Sequence, residues 1–467
     1  MSFDSPVYLL FLPVVCLLHW LIPARFRWAL LLAASYVFYA GWNVRLSLLM
    51  AAVTLCTWLA GLAMERAAGP GQRRLIRWGA LTVCLGVLAY FKYFNLLGQS
   101  FAALTGGHWQ PLDIILPVGI SFYTFQAMSY VIDVGRGRLK AERHPGYYAL
   151  YISFFPQLVA GPIERAEALI PQLRASRRFS PGDIRAGLRL MASGFFRKLV
   201  IADLAAPFVD AVYRAEHPDG SAVLLATLLF ALQIYADFSG YSEIAAGSAR
   251  LMGIRLRRNF DRPYAARDIR DFWRRWHMSL TVWFTDYVYI PLGGSRRGLG
   301  RQLMAATAVF ALCGLWHGAD WSFLVWGLVH ALFLNLHTLR RRLFPRWRET
   351  PATRVLMLAE VCLAWVFFRA ENMDHALALL GQLFSRWDLS AGLGLLMQAP
   401  AQPLSPAVLL TLLAGGLLML RKLPVLADEA RSDVPEAAWV GVLTALALAV
   451  LIRLNSGTAN AFIYFQF

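Results

Sequence analysis

The run Ala222-Val223-Leu224-Leu225-Ala226-Thr227-Leu228-Leu229-Phe230-Ala231-Leu232-Gln233-Ile234 carries no charge. Similar runs occur at Ala29–Ala40 and Trp439–Ile452. Such stretches leave too little polar surface for a water-soluble globule. The whole chain agrees. Of its 467 residues 58% are hydrophobic and only 16% charged, and the mean hydropathy is +0.50. Soluble domains average about 45–50% apolar and about 25% charged residues. Intrinsic disorder is excluded, and the composition is that of a polytopic membrane protein.

A helix needs about 20 apolar residues to cross a bilayer. Candidate spans fall near 6–22, 28–42, 45–64, 75–94, 113–132, 147–160, 185–212, 222–247, 302–316, 321–340, 353–369, 405–420 and 437–453. Several are short or contain proline, so eleven to thirteen spanning or re-entrant helices are expected. No linker or shift in composition divides residues 1–467, which read as a single membrane domain. The N-terminal Met1-Ser2-Phe3-Asp4 lacks a basic region and no small-residue cleavage site follows, so the first run reads as a retained span.

The net charge of +17 comes from 45 Lys+Arg against 28 Asp+Glu. Basic loops at 73–77, 174–178, 255–275, 296–301 and 340–348 read as cytoplasmic loops beside anionic lipid, not as a nucleic-acid surface. They cannot all alternate with the spans, so some segments must be re-entrant or lie flat. Two fit. Phe154-Phe155-Pro156-Gln157-Leu158-Val159-Ala160-Gly161-Pro162-Ile163-Glu164 places two prolines and a glycine in an apolar run. Broken backbone of that kind is tolerated at membrane depth only when buried in protein or lining a cavity. Arg267–Leu280 places Ile269, Phe272, Trp273, Trp276 and Leu280 at helical spacing, with Arg270, Arg274 and Arg275 mostly off that stripe. It reads as one interfacial amphipathic helix, with Asp271 and Arg275 spaced to pair.

The five cysteines form no C-x-x-C pair, which argues against a disulfide frame or a zinc site. Among the histidines His317 stands out, in Gly314-Leu315-Trp316-His317-Gly318-Ala319-Asp320-Trp321 between two apolar runs. An ionisable group there is costly unless partnered. It reads either as a proton acceptor, with Gly318 admitting a substrate close to the backbone, or as a hydrogen-bonded structural histidine. His277 ends the amphipathic stripe and reads either as an interfacial side chain or as a second polar group of a reaction chamber. His330 and His337 share a helical face but lack a ligand set for a metal, so packing or internal hydrogen bonds are expected, and no metal. Asp237 and Glu243 interrupt an apolar run and suit either a polar cavity or internal pairing. Glu164 has the same ambiguity. Nucleophile-elbow, phosphate-loop, H-E-x-x-H and dinucleotide motifs are absent.

Taken together, several stretches carry a resemblance. They include Pro117-Val118-Gly119-Ile120-Ser121-Phe122-Tyr123-Thr124-Phe125-Gln126, the Phe155-Pro156-Gln157 to Gly161-Pro162-Ile163 break, Tyr235–Glu243 and Asn259-Phe260. Then follow Asp271-Phe272-Trp273-Arg274-Arg275-Trp276-His277-Met278-Ser279-Leu280, Asp286–Gly294, Leu315-Trp316-His317-Gly318 and Phe462–Phe467. In this order they resemble the membrane-bound O-acyltransferases, in the bacterial branch that serves O-acetylation of alginate and related polysaccharides. Met278 and Ala331 depart conservatively from residues common there. The resemblance implies an all-α ring of transmembrane helices around a central tunnel. It implies a catalytic His317 and a second functional histidine, His277. It also implies cytosolic acetyl-CoA as donor, the bacterial inner membrane as location, and an exported polysaccharide as acceptor, reached through a periplasmic acetyltransferase- or esterase-like partner. Arg270, Arg274 and Arg275, with Trp273 and Trp276, are the expected donor-binding residues, since guanidinium binds phosphate bidentately. A D-alanyl or other acyl transferase of the superfamily, and a non-enzymatic polysaccharide or solute transporter, are the alternative readings.

Overall fold

The computed structural model describes residues 1–390 except Ser2, Asp4, Ala160, Trp347 and Arg386, together with Gly392, Gly394 and Phe462. The described residues form helices and connecting turns, with no strand. Among the described residues six helices are long and apolar enough to cross a membrane: Val44–Arg66, Pro70–Thr105, Gly220–Leu251, Leu299–His317, Trp321–Leu343 and Pro351–Arg369. The chain is an all-α polytopic membrane protein. The expected spans at 405–420 and 437–453, and residues 463–467, lie outside the described residues.

Three expected spans are altered by local chemistry. The run at 113–132 becomes helical only at Ile120, because Pro117 and the left-handed Gly119 (φ 73°) precede it. The 147–160 run divides into Pro145–Ser153 and Phe155–Leu158, both too short to span at about 1.5 Å per residue. The 185–212 run is Pro181–Phe195 and Asp203–Tyr213 joined by π-helical turns over Phe196–Ala202.

The contacts group the chain into two compact units, Met1–Met191 with Ser242–Arg258, and Ala192–Tyr241 with Asn259–Phe467. In the first, the proline-broken segment is buried in protein, as its backbone requires. The Phe155 N–H donates to Ser35 Oγ (3.1 Å), and Gln157 Nε2 to the Tyr151 carbonyl (2.8 Å). Glu164 resolves toward internal pairing. It accepts from the Arg257 N–H at 2.6 Å, and burial pushes its carboxyl up to about 7.

In the second unit, Asp237 also resolves toward pairing. The buried Lys198 ammonium lies 2.8 Å from a carboxylate oxygen of Asp237 and 2.8 Å from one of Asp203. The Leu299–His317 and Trp321–Leu343 helices form a tight hairpin in the same unit. Asp320 caps the second helix, accepting from the Ser322 N–H at 2.8 Å. At their crossing a Cβ on Gly314 would stand 2.1 Å from the Phe323 carbonyl oxygen, and one on Gly327 2.1 Å from that of Phe310. In lipid there is no hydrophobic force between helices, so such small residues are what permits close packing.

Gly314→Val is therefore expected to overpack the hairpin by about 1–3 kcal/mol, lowering the melting temperature in detergent. Gly300→Ala on the same helix, where a Cβ meets open space, should leave it unchanged. Lys198→Ala removes the cation from the buried Asp237 and the partly buried Asp203 and is expected to cost about 3–5 kcal/mol. A melting curve like that of wild type would show that the cluster is not structural.

Candidate active site

The second unit brings together the two histidines that the resemblance singles out. His317 is the last residue of the Leu299–His317 helix and 4% exposed. Its ring lies 4.9 Å from Trp316, 5.1 Å from Trp326 and 5.4 Å from Phe368, each edge-to-face. These aromatic walls exclude water around the imidazole. Gly318, expected from the sequence to admit a substrate, packs against the Phe323 ring. A Cβ there would stand 2.1 Å from the Phe323 ring, so glycine is required by packing.

His277 is 1% exposed, with its ring centre 6.4 Å from that of His317 and 4.7 Å from that of Phe238. It does not end a continuous amphipathic helix. The expected single helix over 267–280 is two, Ile269–Arg275 and Met278–Phe284, and His277 between them is left-handed (φ 41°). A non-glycine residue pays about 1–2 kcal/mol for that conformation. The surrounding bonds enforce it. The Met278 N–H donates to the Asn259 carbonyl (2.8 Å), Ser279 Oγ donates to Asn259 Oδ1 (2.6 Å), and the Asp261 N–H donates to the Arg275 carbonyl (3.0 Å). Asn259-Phe260 thus clamps the turn that aims His277. Burial pushes the His277 imidazole down to about 3. It is neutral at physiological pH, with one N–H donor and one acceptor.

The apolar stripe of 267–280, expected to face a membrane interface, is buried in protein. Ile269, Phe272, Trp273, Trp276 and Leu280 are all buried. Trp276 packs against Phe260, Phe272 and Trp365. Arg275 pairs with Asp271 at 2.9 Å, at the expected spacing of four. Arg270, Trp273 and Arg274 line a cavity of about 380 Å³, with Phe310, Asn335 and Thr338 among its other walls. Arg270 reaches Thr338 Oγ1 at 3.4 Å. Of the five expected donor-binding residues, these three share the cavity, and Arg275 and Trp276 do not line it.

His337 and His330 have different surroundings despite their shared helix. His337 Nδ1 lies 3.4 Å from Arg340, whose guanidinium bonds Glu349 at 3.0 Å. Asp268, His337 and Glu349 present ligand atoms within 4.8 Å of one another, with Arg340 supplying a cation beside them. His330 is enclosed by aromatic rings.

The walls formed by Phe238, Trp326 and Phe368, and the clamp at Asn259, were missed by the reading of individual residues. The signals for them were Tyr235–Glu243, which contains Phe238, and Asn259-Phe260, both present among the resembling stretches without a role for these residues. The others are far from the histidines in sequence or sit among many similar aromatics.

The chain belongs to the membrane-bound O-acyltransferase family, whose model matches residues 143–374. It is an O-acyltransferase, and several relatives that match most of its length carry the names of O-acetylases or an O-acetyltransferase. It is 40% identical over 400 residues to the "Probable alginate O-acetylase AlgI" of Azotobacter vinelandii, covering 84% of this chain and 80% of that one. The protein of the same name in Pseudomonas aeruginosa is also 40% identical over 400 residues, with 84% and 76% covered. The peptidoglycan O-acetyltransferase of Helicobacter pylori is 33% identical over 414 residues, with 81% and 79% covered. The sequence resemblance is borne out.

Asn259→Ala should release the turn around His277. The expected outcome is a stability loss of about 1 kcal/mol with a larger loss of acyl transfer per folded molecule. Asn259→Asp, which keeps the acceptor for Ser279, should retain more activity. Equal activity in all three forms would show that the clamp does not position His277.

Proposed function

We propose that this protein takes an acetyl group from cytosolic acetyl-CoA and delivers it across the bacterial inner membrane toward hydroxyls of an exported polysaccharide, alginate or a similar polymer. A periplasmic acetyltransferase- or esterase-like partner completes the delivery. The observation that carries this reading is the buried pair His277 and His317, 6.4 Å apart between ring centres and walled by aromatic rings. The names of the relatives, alginate O-acetylase and peptidoglycan O-acetyltransferase, support acetyl as the group and a polymer as the destination.

His317 acts as general base. It accepts the proton of the acceptor hydroxyl as that oxygen attacks the thioester carbonyl. His277, neutral and held by its turn, donates its N–H to the oxyanion that develops on the carbonyl oxygen. Collapse breaks the carbon–sulfur bond, and the His317 imidazolium returns the proton to the departing thiolate. The products are an acetyl ester and free thiol. Proton transfer of this kind contributes about 10²–10⁴-fold, and an oxyanion donor about 10²–10³-fold. Positioning in a water-excluded site supplies the rest. In the cavity, Arg270 and Arg274 suit the donor's phosphates, and Trp273 and Phe310 form apolar walls for its arm.

The test is acetyl release from radiolabelled acetyl-CoA by protein in detergent, with and without the periplasmic partner. His317→Ala is expected to lower kcat by about 10²–10⁴-fold, and His277→Ala by about 10²–10³-fold, both remaining folded. Cells carrying only His317→Ala should export polymer without acetyl esters. Equal release from wild type and His317→Ala would remove His317 from the chemistry. Polymer acetylation unaffected by His317→Ala would favour the transporter reading.

A further inference from the structure

Between His317 and the cavity lies a further buried imidazole, His330. It is 0% exposed and stands one turn beyond Trp326 on the Trp321–Leu343 helix. Its ring centre is 4.8 Å from that of Trp273 and 4.9 Å from that of Trp326, both edge-to-face. Phe310 stacks on it at 6.1 Å. Among the described residues neither ring nitrogen of His330 has a hydrogen-bond partner, and neither does the indole N–H of Trp273 or Trp326. Buried polar groups are nearly always hydrogen-bonded, and a cluster of exceptions needs an explanation. Edge-on N–H···π contacts compensate only weakly. Leucine or phenylalanine would fill the same volume with no polar atoms to satisfy.

The cluster offers two indole N–H donors, one imidazole N–H and one imidazole lone pair, all uncharged if the imidazole is neutral. An anion would meet the lone pair, and a cation would find a single acceptor. An amide fits both signs: its carbonyl takes the N–H groups and its own N–H donates to the imidazole. The position is equally specific. Trp273 lines the cavity with Arg270 and Arg274, and Trp326 lies 5.1 Å from His317. The sequence of ring contacts therefore runs from the cavity through Trp273, His330 and Trp326 to the catalytic imidazole.

We propose that His330, with the indole N–H groups of Trp273 and Trp326, is a binding station for an amide of the donor's pantetheine arm. It sets the length of arm that reaches from the arginines to His317. Entry requires the Trp273 ring to swing from its edge contact with His330 toward the cavity. This inference rests on the acetyl-CoA reading.

The test is equilibrium binding of free coenzyme A, which carries both pantetheine amides and no reactive thioester, to the full chain in detergent. Adenosine 3′,5′-bisphosphate, which lacks the arm, is the parallel probe. His330→Leu is expected to raise Kd for coenzyme A about tenfold, the worth of one or two hydrogen bonds. His330→Gln should recover part of the loss. Trp273→Phe and Trp326→Phe, which keep an aromatic ring and remove only the N–H, should each weaken coenzyme A binding. Binding of the bisphosphate should not change in any variant. Unchanged coenzyme A affinity in both tryptophan variants overturns the station, whether or not His330→Leu folds. So does an equal loss for both probes, which would mark a packing role. Wild type that binds no coenzyme A and releases no acetyl group overturns the donor reading itself, a separate outcome.

Discussion

The contact on which the site depends is the glycine-to-glycine crossing of the Leu299–His317 and Trp321–Leu343 helices. Gly314 and Gly327 bring backbone against backbone. That approach places His317, at the end of one helix, against Trp326 on the other. Neither helix could fix this geometry by hydrophobic force, because lipid solvates apolar side chains as well as a neighbouring helix does. Shape and van der Waals contact do the fixing, so substitution of either glycine would displace the imidazole as well as the helix.

The second constraint is the left-handed turn at His277. A strained residue persists only where its surroundings over-determine it, and such residues cluster at functional sites. Here Asn259, Ser279 and the strand-like pairing of Asp261 with Arg275 hold the turn. The consequence is electrostatic as well as geometric. A histidine placed there is fully buried and stays neutral, so it presents one donor and one acceptor without adding charge to a dry site. The two histidines therefore differ in how they are held: one by helix packing, the other by a hydrogen-bonded turn.

Charge is separated from chemistry in the same unit. Arg270 and Arg274 stand at a cavity, whereas the neighbouring Arg275 is committed to Asp271 and Asp261. Residues adjacent in sequence thus have different tasks, as do His330 and His337. The aromatic cluster between the cavity and His317 joins the two regions without carrying charge.

The amino-acid sequence by itself determined the class of fold, because charge-free runs such as Ala222–Ile234 have few places to go but a bilayer. It also determined the family, because Trp316-His317-Gly318 and Trp276-His277-Met278-Ser279-Leu280 are compact motifs with fixed spacing, and the resemblance they carry singled out His277 and His317. It predicted the Asp271–Arg275 pair, since neighbours on a helix are a local property. Only the tertiary structure decided that the 267–280 stripe breaks into two helices at His277. The bonds responsible come from Asn259 and Asp261, which helical periodicity does not register. Only the tertiary structure separated Arg270 and Arg274 from Arg275, and showed that Gly318 yields space to the Phe323 ring. Periodicity reports which face of an element is apolar. Which neighbour covers that face, and which polar atoms it leaves unanswered, depends on contacts between residues far apart in the chain.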